Sequence, residues 1–276
     1  MIIGIDIGST ITKAVSIENG SVVRQIKTKA MDAVTSATGA FGKMLLENNI
    51  KLADIQKIRI TGAGSSKIKG DIFGIPTEKV NEVTAIGVGG LFLAHKEAEL
   101  PPEKPIIITN IGTGTILIEA SREKIAHLGG TGVGGGTILG LSKRLISLSS
   151  FNDIMDAAKD GNRKPVDLLL EDITETDISF LSRESTAANF GKMLDTAKNE
   201  DIALAIHTLV FEVIGMLSAF AARGKQIDHI LVTGTGSDNP IGKSILDNVG
   251  SMYHIRFIYP SKAQYTTAIG AGLAPC

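Results

Sequence analysis

The chain has 276 residues, 43% hydrophobic and 21% charged, which is enough for two modest domains with real cores. Its 28 basic and 29 acidic residues leave a formal net charge of -1, so there is no basic surplus to attract nucleic acid or an anionic membrane. The single cysteine, Cys276, excludes an intrachain disulfide and a cysteine-rich metal site and fits a reducing, cytoplasmic setting.

Residues 2–26 read as a strand hairpin whose second turn is Asn19-Gly20, a strong short-range hairpin signal. The opening apolar run stops at Asp6, so a signal peptide is not expected there. Asp6 ends an otherwise apolar strand, where a carboxylate is costly unless it is solvated, hydrogen-bonded or beside a cation. It could cap the turn at Gly8 or hold Mg²⁺, usually through water. Lys13 lies on the returning strand among Ile11, Ala14 and Val15, and alternation alone leaves its direction open. Ser9, Thr10 and Thr12 set hydroxyls around the same turn.

Residues 31–49 have the spacing of an amphipathic helix, and residues 58–60 form a buried strand that empties into TGAGSSK. After Pro76 and Thr77, Asn81-Glu82 opens the helix TAIGVGGLFLAHKEAEL. A carboxylate in a first helical turn is favoured by the helix dipole, and Glu82 is equally placed to orient a substrate hydroxyl. Pro101, Pro102 and Pro105 suit neither a helix nor a central strand, so a domain boundary is expected there, with lobes 1–102 and 103–276.

Residues 106–141 carry the densest glycine in the chain: a strand, a turn over 110–115, a returning strand, a second turn, then the run 129–136 before a helix over 138–147. Such glycine is entropically costly unless the backbone must approach something closely. Converging N–H groups backed by a helix N-terminus make an anion-binding concavity, although a lone Gly-rich turn is as well explained as a plain hairpin turn. Residues 148–200 form a polar, turn-rich insert containing STAANFG. Residues 201–225 are apolar on several faces but interrupted by His207, Glu212 and Ser218, which marks a core helix rather than a membrane span, with His207 a core or surface histidine. In LVTGTGSDNP, Gly234 and Gly236 allow close backbone approach. Gly270 and Gly272 in the final helix allow tight helix packing or a hinge.

The chain repeats itself. IGIDIGSTITKAV aligns with IITNIGTGTILI, setting Asp6 on Asn110, Gly8 on Gly112 and Ser9 on Thr113; IRITGAGS matches ILVTGTGS; TAIGVG matches TAIGAG. Each half thus reads as hairpin, helix, strand and helix. An internally duplicated α/β unit follows, with two phosphate-cradling hairpins facing one another across a cleft.

This arrangement resembles the superfamily of actin, the sugar kinases and the heat-shock chaperone ATPases, whose two ribonuclease-H-like domains grip ATP between them. Within it, DIGSTITK, NIGTGT, GGTGVGGGTILGL and STAANFG together resemble the type II pantothenate kinases over nearly the whole chain. The resemblance implies two actin-like ATPase lobes, ATP and Mg²⁺ as cofactors, pantothenate as substrate at the first step of coenzyme A biosynthesis, and a cytoplasmic homodimer. It gives Asp6 the metal, Lys13 the transferring phosphate, and Glu82 the task of orienting and deprotonating the substrate hydroxyl. Gly8, Ser9, Thr10, Gly112, Thr113, Gly114, Thr115, Gly134, Gly135 and Gly136 surround the phosphates, Gly234 and Gly236 the adenosine, and Thr113, His127 and Gly130 the substrate. STAANFG would lie near the nucleotide.

Two positions depart from the family pattern. Ile116 stands where those kinases carry a serine that helps bind the pantoyl part, and His127 where they carry an arginine for the substrate carboxylate. Arg-to-His removes a permanent, forked charge, and Arg122 and Lys124 are other cations on the same hairpin. Alternatives are a kinase for another hydroxylated acceptor, such as a sugar, and a non-catalytic binder of ATP or coenzyme A metabolites. The ATPase that drives electrons into 2-hydroxyacyl-CoA dehydratases shares the fold but needs interface cysteines for an iron–sulfur cluster, against one cysteine here.

Overall fold

A computed structural model describes residues 1–101, 103–176 and 182–275; Pro102 of the proline-rich link and Cys276 lie outside them. The first half begins with an antiparallel meander of β1 (Ile2–Ile7), β2 (Ile11–Glu18) and β3 (Ser21–Lys29). Asn19 and Gly20 both have positive φ, 49° and 73°, as the tight hairpin turn requires. Helix α1 (Ala33–Asn48) starts where the Asp32 carboxylate accepts the N–H groups of Val34 and Thr35. Strands β4 (Lys57–Thr61) and β5 (Thr77–Lys79) then add in parallel, and α2 (Glu82–Glu97), capped by Asn81, closes the half.

The second half repeats this plan with β6 (Ile106–Ile111), β7 (Thr115–Ala120), β8 (Ile125–Thr131) and α3 (Gly135–Leu145). After α4 (Phe151–Lys159) and the short pair β9 (Leu168–Leu169) and β10 (Thr186–Ala188) come α5 (Asn199–Gly224), β11 (His229–Thr233), α6 (Pro240–Tyr253), β12 (Arg256–Ile258) and α7 (Thr266–Leu273). The two five-stranded sheets run β3-β2-β1-β4-β5 and β8-β7-β6-β11-β12, the same order twice. The duplication read from three sequence pairs is therefore present in the topology.

Two local readings need correction. Helix α3 begins at Gly135, three residues before the expected start, because a first turn needs no side chains and Thr137 Oγ1 accepts the Gly134 N–H at 3.2 Å. The insert contains a regular helix: Ile154 and Ala158, four apart on α4, are buried under an otherwise polar sequence.

Alternation gives each sheet two apolar faces. Ile3, Ile5 and Ile7 pack outward against Phe41 and Met44 of α1, while Ile107 and Ile111 join Ile138, Phe211 and Leu246 on the far side of the second sheet. The remaining faces share a third core: Val15 and Ile17 from one sheet, Ile106, Ile108 and Ile118 from the other, with Ile86 of α2 and Ile269 of α7.

The helices in that middle layer are exchanged. Helix α7, which closes the second half, lies on the first sheet so closely that a Cβ on Gly4 would sit 2.1 Å from the Ala268 carbonyl oxygen. Helix α2 packs on the second sheet, against Ile108 and Ile125. The two helices cross at their matched motifs: a Cβ on Gly270 would lie 1.6 Å from the Ala85 oxygen, and one on Gly89 1.9 Å from the Thr266 oxygen. Glycine here permits backbone-to-backbone contact between the halves. Arg59 of β4 reinforces the exchange by donating to the carbonyls of Gly272 and Ala274, and Glu97 at the end of α2 accepts the Ser261 N–H at 2.6 Å.

Among the described helices only α5 is long and apolar enough to cross a membrane, yet 67% of its most apolar window is buried within the molecule. It is a core helix, tied to β6 by the Thr109–Ser218 hydroxyl pair at 2.8 Å. His207 is a core histidine: its Nδ1 lies 2.8 Å from the Ala203 oxygen and its ring stacks on Phe211.

Candidate active site between the two hairpins

Strand register sets two comparable rows at the ends of the sheets. In the first, Asp6 of β1 lies between Lys13 of β2 and Thr61 of β4. In the second, Asn110 of β6 lies between Ile116 of β7 and Thr233 of β11, and Gly130 of β8 extends the row beyond Ile116. Asp6 shares the face of Gly4, Lys13 that of Val15 and Ile17, and Asn110 that of Ile106 and Ile108, so both rows face the layer between the halves. Ile7 pairs with Thr12 but Ile111 with Thr115, so the first turn is one residue longer. The structural counterpart of Lys13 is therefore Ile116, not the Leu117 that an ungapped alignment gives.

The two turns meet. Ser9 Oγ and Thr113 Oγ1, one from each turn, are 2.7 Å apart. Behind the second turn, Gly135 and Gly136 donate their N–H groups to the Gly112 and Thr113 carbonyls, both at 2.9 Å. With the Gly134 N–H bonded to Thr137, all three amides of the glycine run have partners within the protein. Gly234, at φ 82°, and Gly236 fit the following turn onto the end of β6, where added Cβ atoms would lie 2.5 Å from the Ile111 oxygen and 2.4 Å from its side chain.

Charge is concentrated in the first row. Lys13 Nζ is 3.8 Å from Asp6 Oδ2, and both side chains are buried. Burial pushes the Asp6 carboxyl above the usual carboxylate range, and the Lys13 charge only partly offsets this. Glu82, in the first turn of α2, keeps an open edge to solvent but is crowded by protein; burial and then the negative charge of Asp6 raise its carboxyl as well. Glu82 thus lies within the field of the Asp6 carboxylate.

On the second sheet, a Cβ on Gly130 would sit 2.5 Å from the Thr115 oxygen. His127 is exposed on edge strand β8, opposite Ile118 and one same-face step from Ile116. Arg122 and Lys124 sit at the far β7–β8 turn, at least four strand residues from Ile116, or roughly 13 Å at about 3.3 Å per residue. STAANFG is fastened to α5: Asn189 Nδ2 and Thr186 Oγ1 donate to the Glu212 carboxylate at 3.0 and 2.8 Å, with Arg163 and Asp167 completing the cluster. Arg163, Asp167 and Glu212 were invisible as a group in the sequence because they come from two distant segments. Thr61 and Thr233 were on view in the paired TG-x-GS strands, as the residue before each glycine.

Among the described residues no group of three or more His, Cys, Asp or Glu side chains could hold a metal. Two open surface pockets lie elsewhere, 480 Å³ beside Met1, Ile17 and Asp54, and 270 Å³ beside Arg163 and Leu204.

The Fumble family model matches residues 2–271, almost the whole chain. The chain belongs to the Fumble family. Its curated relatives include the type II pantothenate kinase of Bacillus anthracis, 33% identical over 261 residues covering 91% of this chain and 87% of that one. The type II pantothenate kinase of Oceanobacillus iheyensis is 29% identical over 275 residues, covering 99% and 98%. Among solved structures, the activator of the 2-hydroxyisocaproyl-CoA dehydratase from Clostridium difficile with bound ADPNP superposes with a TM-score of 0.68 at 19% identity, covering 99% of this chain and 92% of that one. A ROK family glucokinase from Streptomyces griseus in complex with glucose and AMPPNP gives 0.61 at 12% identity, covering 98% and 97%. At those identities the likeness is one of fold, and this Fumble-family protein has the actin-like, two-lobed kinase fold.

Proposed function

We propose that this Fumble-family protein is a kinase that transfers the γ-phosphoryl group of ATP to the primary hydroxyl of pantothenate, the first step of coenzyme A biosynthesis. The observation that carries this reading is the buried Asp6–Lys13 pair beside two touching Gly/Thr turns, in a chain whose relatives are named type II pantothenate kinases. Proteins of the same fold hold ADPNP and AMPPNP, which supports ATP as the nucleotide.

The phosphate chain lies along Gly8, Ser9 and Thr10 on one side and Gly112, Thr113, Gly114 and Thr115 on the other. Ser9 and Thr113 turn their hydroxyls from each other to phosphate oxygens, while Gly134, Gly135 and Gly136 brace the second turn from behind. Adenosine lies by the turn after Gly234 and Gly236. Mg²⁺ fits Asp6: this ion keeps most of its shell as water and phosphate oxygen and needs only one or two carboxylates, and Asp6 is a buried carboxylate whose one cation stands 3.8 Å off. Held there, Mg²⁺ would offset charge on the β- and γ-phosphates.

Lys13 steadies the transferring phosphoryl group from a buried, fixed position. Glu82 aligns the hydroxyl, and its raised pKa makes it a somewhat stronger base in a reaction whose loose transition state demands alignment above all. The bond from the γ-phosphorus to its bridging oxygen breaks as that to the hydroxyl oxygen forms; the proton passes to Glu82 and ADP leaves. Thr113, Gly130 and His127 border the acceptor, with Ile116 between the first two. Leu217 and Phe220, exposed on α5, are the surface that supports reading the protein as a homodimer, and a cytoplasmic setting suits a kinase that draws on ATP.

The test is ADP release from Mg²⁺-ATP with pantothenate, pantetheine, hexoses or buffer alone. Pantothenate-dependent ADP is the expected result. ADP release with a hexose and not with pantothenate would overturn the acceptor, and ATP binding without turnover on any of them would overturn the reaction.

A further inference from the structure

We infer that Thr61 is a positioning residue for Asp6: turned as Thr233 is turned toward Asn110, its hydroxyl donates a hydrogen bond to Asp6 Oδ1 and sets the direction of that carboxylate. The inference rests on the kinase reading for its consequence but not for its geometry.

The argument starts from the two rows. Asp6 pairs with Thr61, and Asn110 with Thr233, in the same parallel register at the same ends of the duplicated sheets. The glycines that follow, Gly62 and Gly234, share an unusual backbone conformation, with φ of 85° and 82° and ψ near 180°. They also meet the same neighbour: an added Cβ would lie 2.6 Å from Asp6 Oδ1 in the first half and 2.9 Å from Asn110 Oδ1 in the second. The two side-chain oxygens therefore occupy equivalent places relative to the strand that faces them.

In the second half that oxygen is claimed, since Thr233 Oγ1 donates to Asn110 Oδ1 at 2.9 Å. In the first half, Thr61 is fully buried and its Oγ1 has no hydrogen-bond partner. A buried hydroxyl without a partner is costly, and the equivalent acceptor in this half is a carboxylate whose Oδ2 stands 3.8 Å from the Lys13 ammonium. A threonine has three staggered positions for its hydroxyl, and one that reached Asp6 Oδ1 as Thr233 reaches Asn110 Oδ1 would answer both deficits. With Oδ1 engaged by Thr61, Oδ2 is left for Lys13 and the nucleotide's cation. Asp6 then has one orientation rather than several.

Two variants separate the hydroxyl from the packing around it. Thr61→Val keeps the shape and removes the donor; Thr61→Ser keeps the donor and removes a methyl group. A crystal structure of the wild type should show Thr61 Oγ1 and Asp6 Oδ1 about 2.7 Å apart, and Thr61 bonded to a backbone carbonyl instead would overturn the inference. By calorimetry, Thr61→Val should weaken Mg²⁺-ATP binding about 10-fold, the usual scale for losing a group that orients a metal's carboxylate. Binding of ATP with EDTA should be unchanged, and Thr61→Ser should stay near wild type. Equal loss in both variants, or loss of ATP binding with EDTA as well, would make Thr61 a packing residue. Failure of pantothenate as acceptor would leave all of these readouts intact, so the two readings fail separately.

Discussion

The rows Thr61–Asp6–Lys13 and Thr233–Asn110–Ile116 occupy matching places in two sheets of the same strand order, and they differ in charge. The second row has no ionisable group and its central oxygen is hydrogen-bonded at 2.9 Å. The first buries a carboxylate and an ammonium 3.8 Å apart, with a second carboxylate, Glu82, close enough to feel the first. Duplication supplies a symmetric clamp, whereas phosphoryl transfer needs charge at one end of it. The symmetric features should therefore serve folding and the asymmetric ones chemistry.

The largest expected effect is on the charged row. Lys13→Met should lower kcat about 10²- to 10³-fold, the scale for removing one fixed group that stabilises developing charge, as read in a steady-state assay. Asn110→Asp should not restore activity to Asp6→Asn, since the counterpart of Lys13 there is Ile116. Rescue would show the rows to be interchangeable and break the comparison. Next in size is the symmetric helix crossing. Gly270→Ala places a methyl group 1.6 Å from a backbone oxygen and should cost about 3 kcal/mol of stability in urea unfolding, near the top of the range for overpacking. Loss of activity without loss of stability would contradict a purely structural role.

A pH comparison sharpens the contrast further. Burial holds the His207 imidazole below its ordinary range, so the folded pKa lies under the unfolded one. Its contribution to stability is complete above the unfolded value and is lost as pH falls from there toward the folded value. Urea midpoints should decline on acidification from about pH 6.5, and His207→Phe should flatten that decline. Activity has its own acid limb: the carboxyls of Asp6 and Glu82 are both raised, so kcat/KM should begin to fall at higher pH than an ordinary carboxylate would dictate. The smallest effect belongs to the neutral turn, where Thr113→Ala should raise KM for ATP only a few-fold, on the order of one neutral hydrogen bond.

Much of this was legible in the chain. The alternation around Asp6, the Asn19-Gly20 turn and the matched TG-x-GS ends specify strands and their order, because period-two burial and positive φ leave a direct mark on residue choice. The glycines of the paired TAIG motifs allowed either close helix packing or a hinge, and gave no sign that each helix lies on the other half's sheet. That exchange depends on which apolar faces meet in three dimensions, and Ile86 and Ile269 look the same in either arrangement. The equivalence of Ile116 with Lys13 was hidden by one extra residue in the first turn, and the start of α3 by glycines with poor helix propensity. Of the candidate site, the roles given to Asp6, Lys13 and Glu82 come from family resemblance alone, and the direction of Lys13 was not readable from spacing. Thr61 was on view as the residue before Gly62, but its relation to Asp6 was not until its twin Thr233 was seen bonded to Asn110.

The measurement that bears most directly on the asymmetric clamp is pantothenate-dependent ADP formation by wild-type protein and Glu82→Gln, with ATP affinity determined on the same samples. Wild type should turn over and Glu82→Gln should lose about 10² or more in kcat while binding ATP normally, as expected for a group that aligns and deprotonates the acceptor. A Glu82→Gln protein working at the wild-type rate would contradict the account.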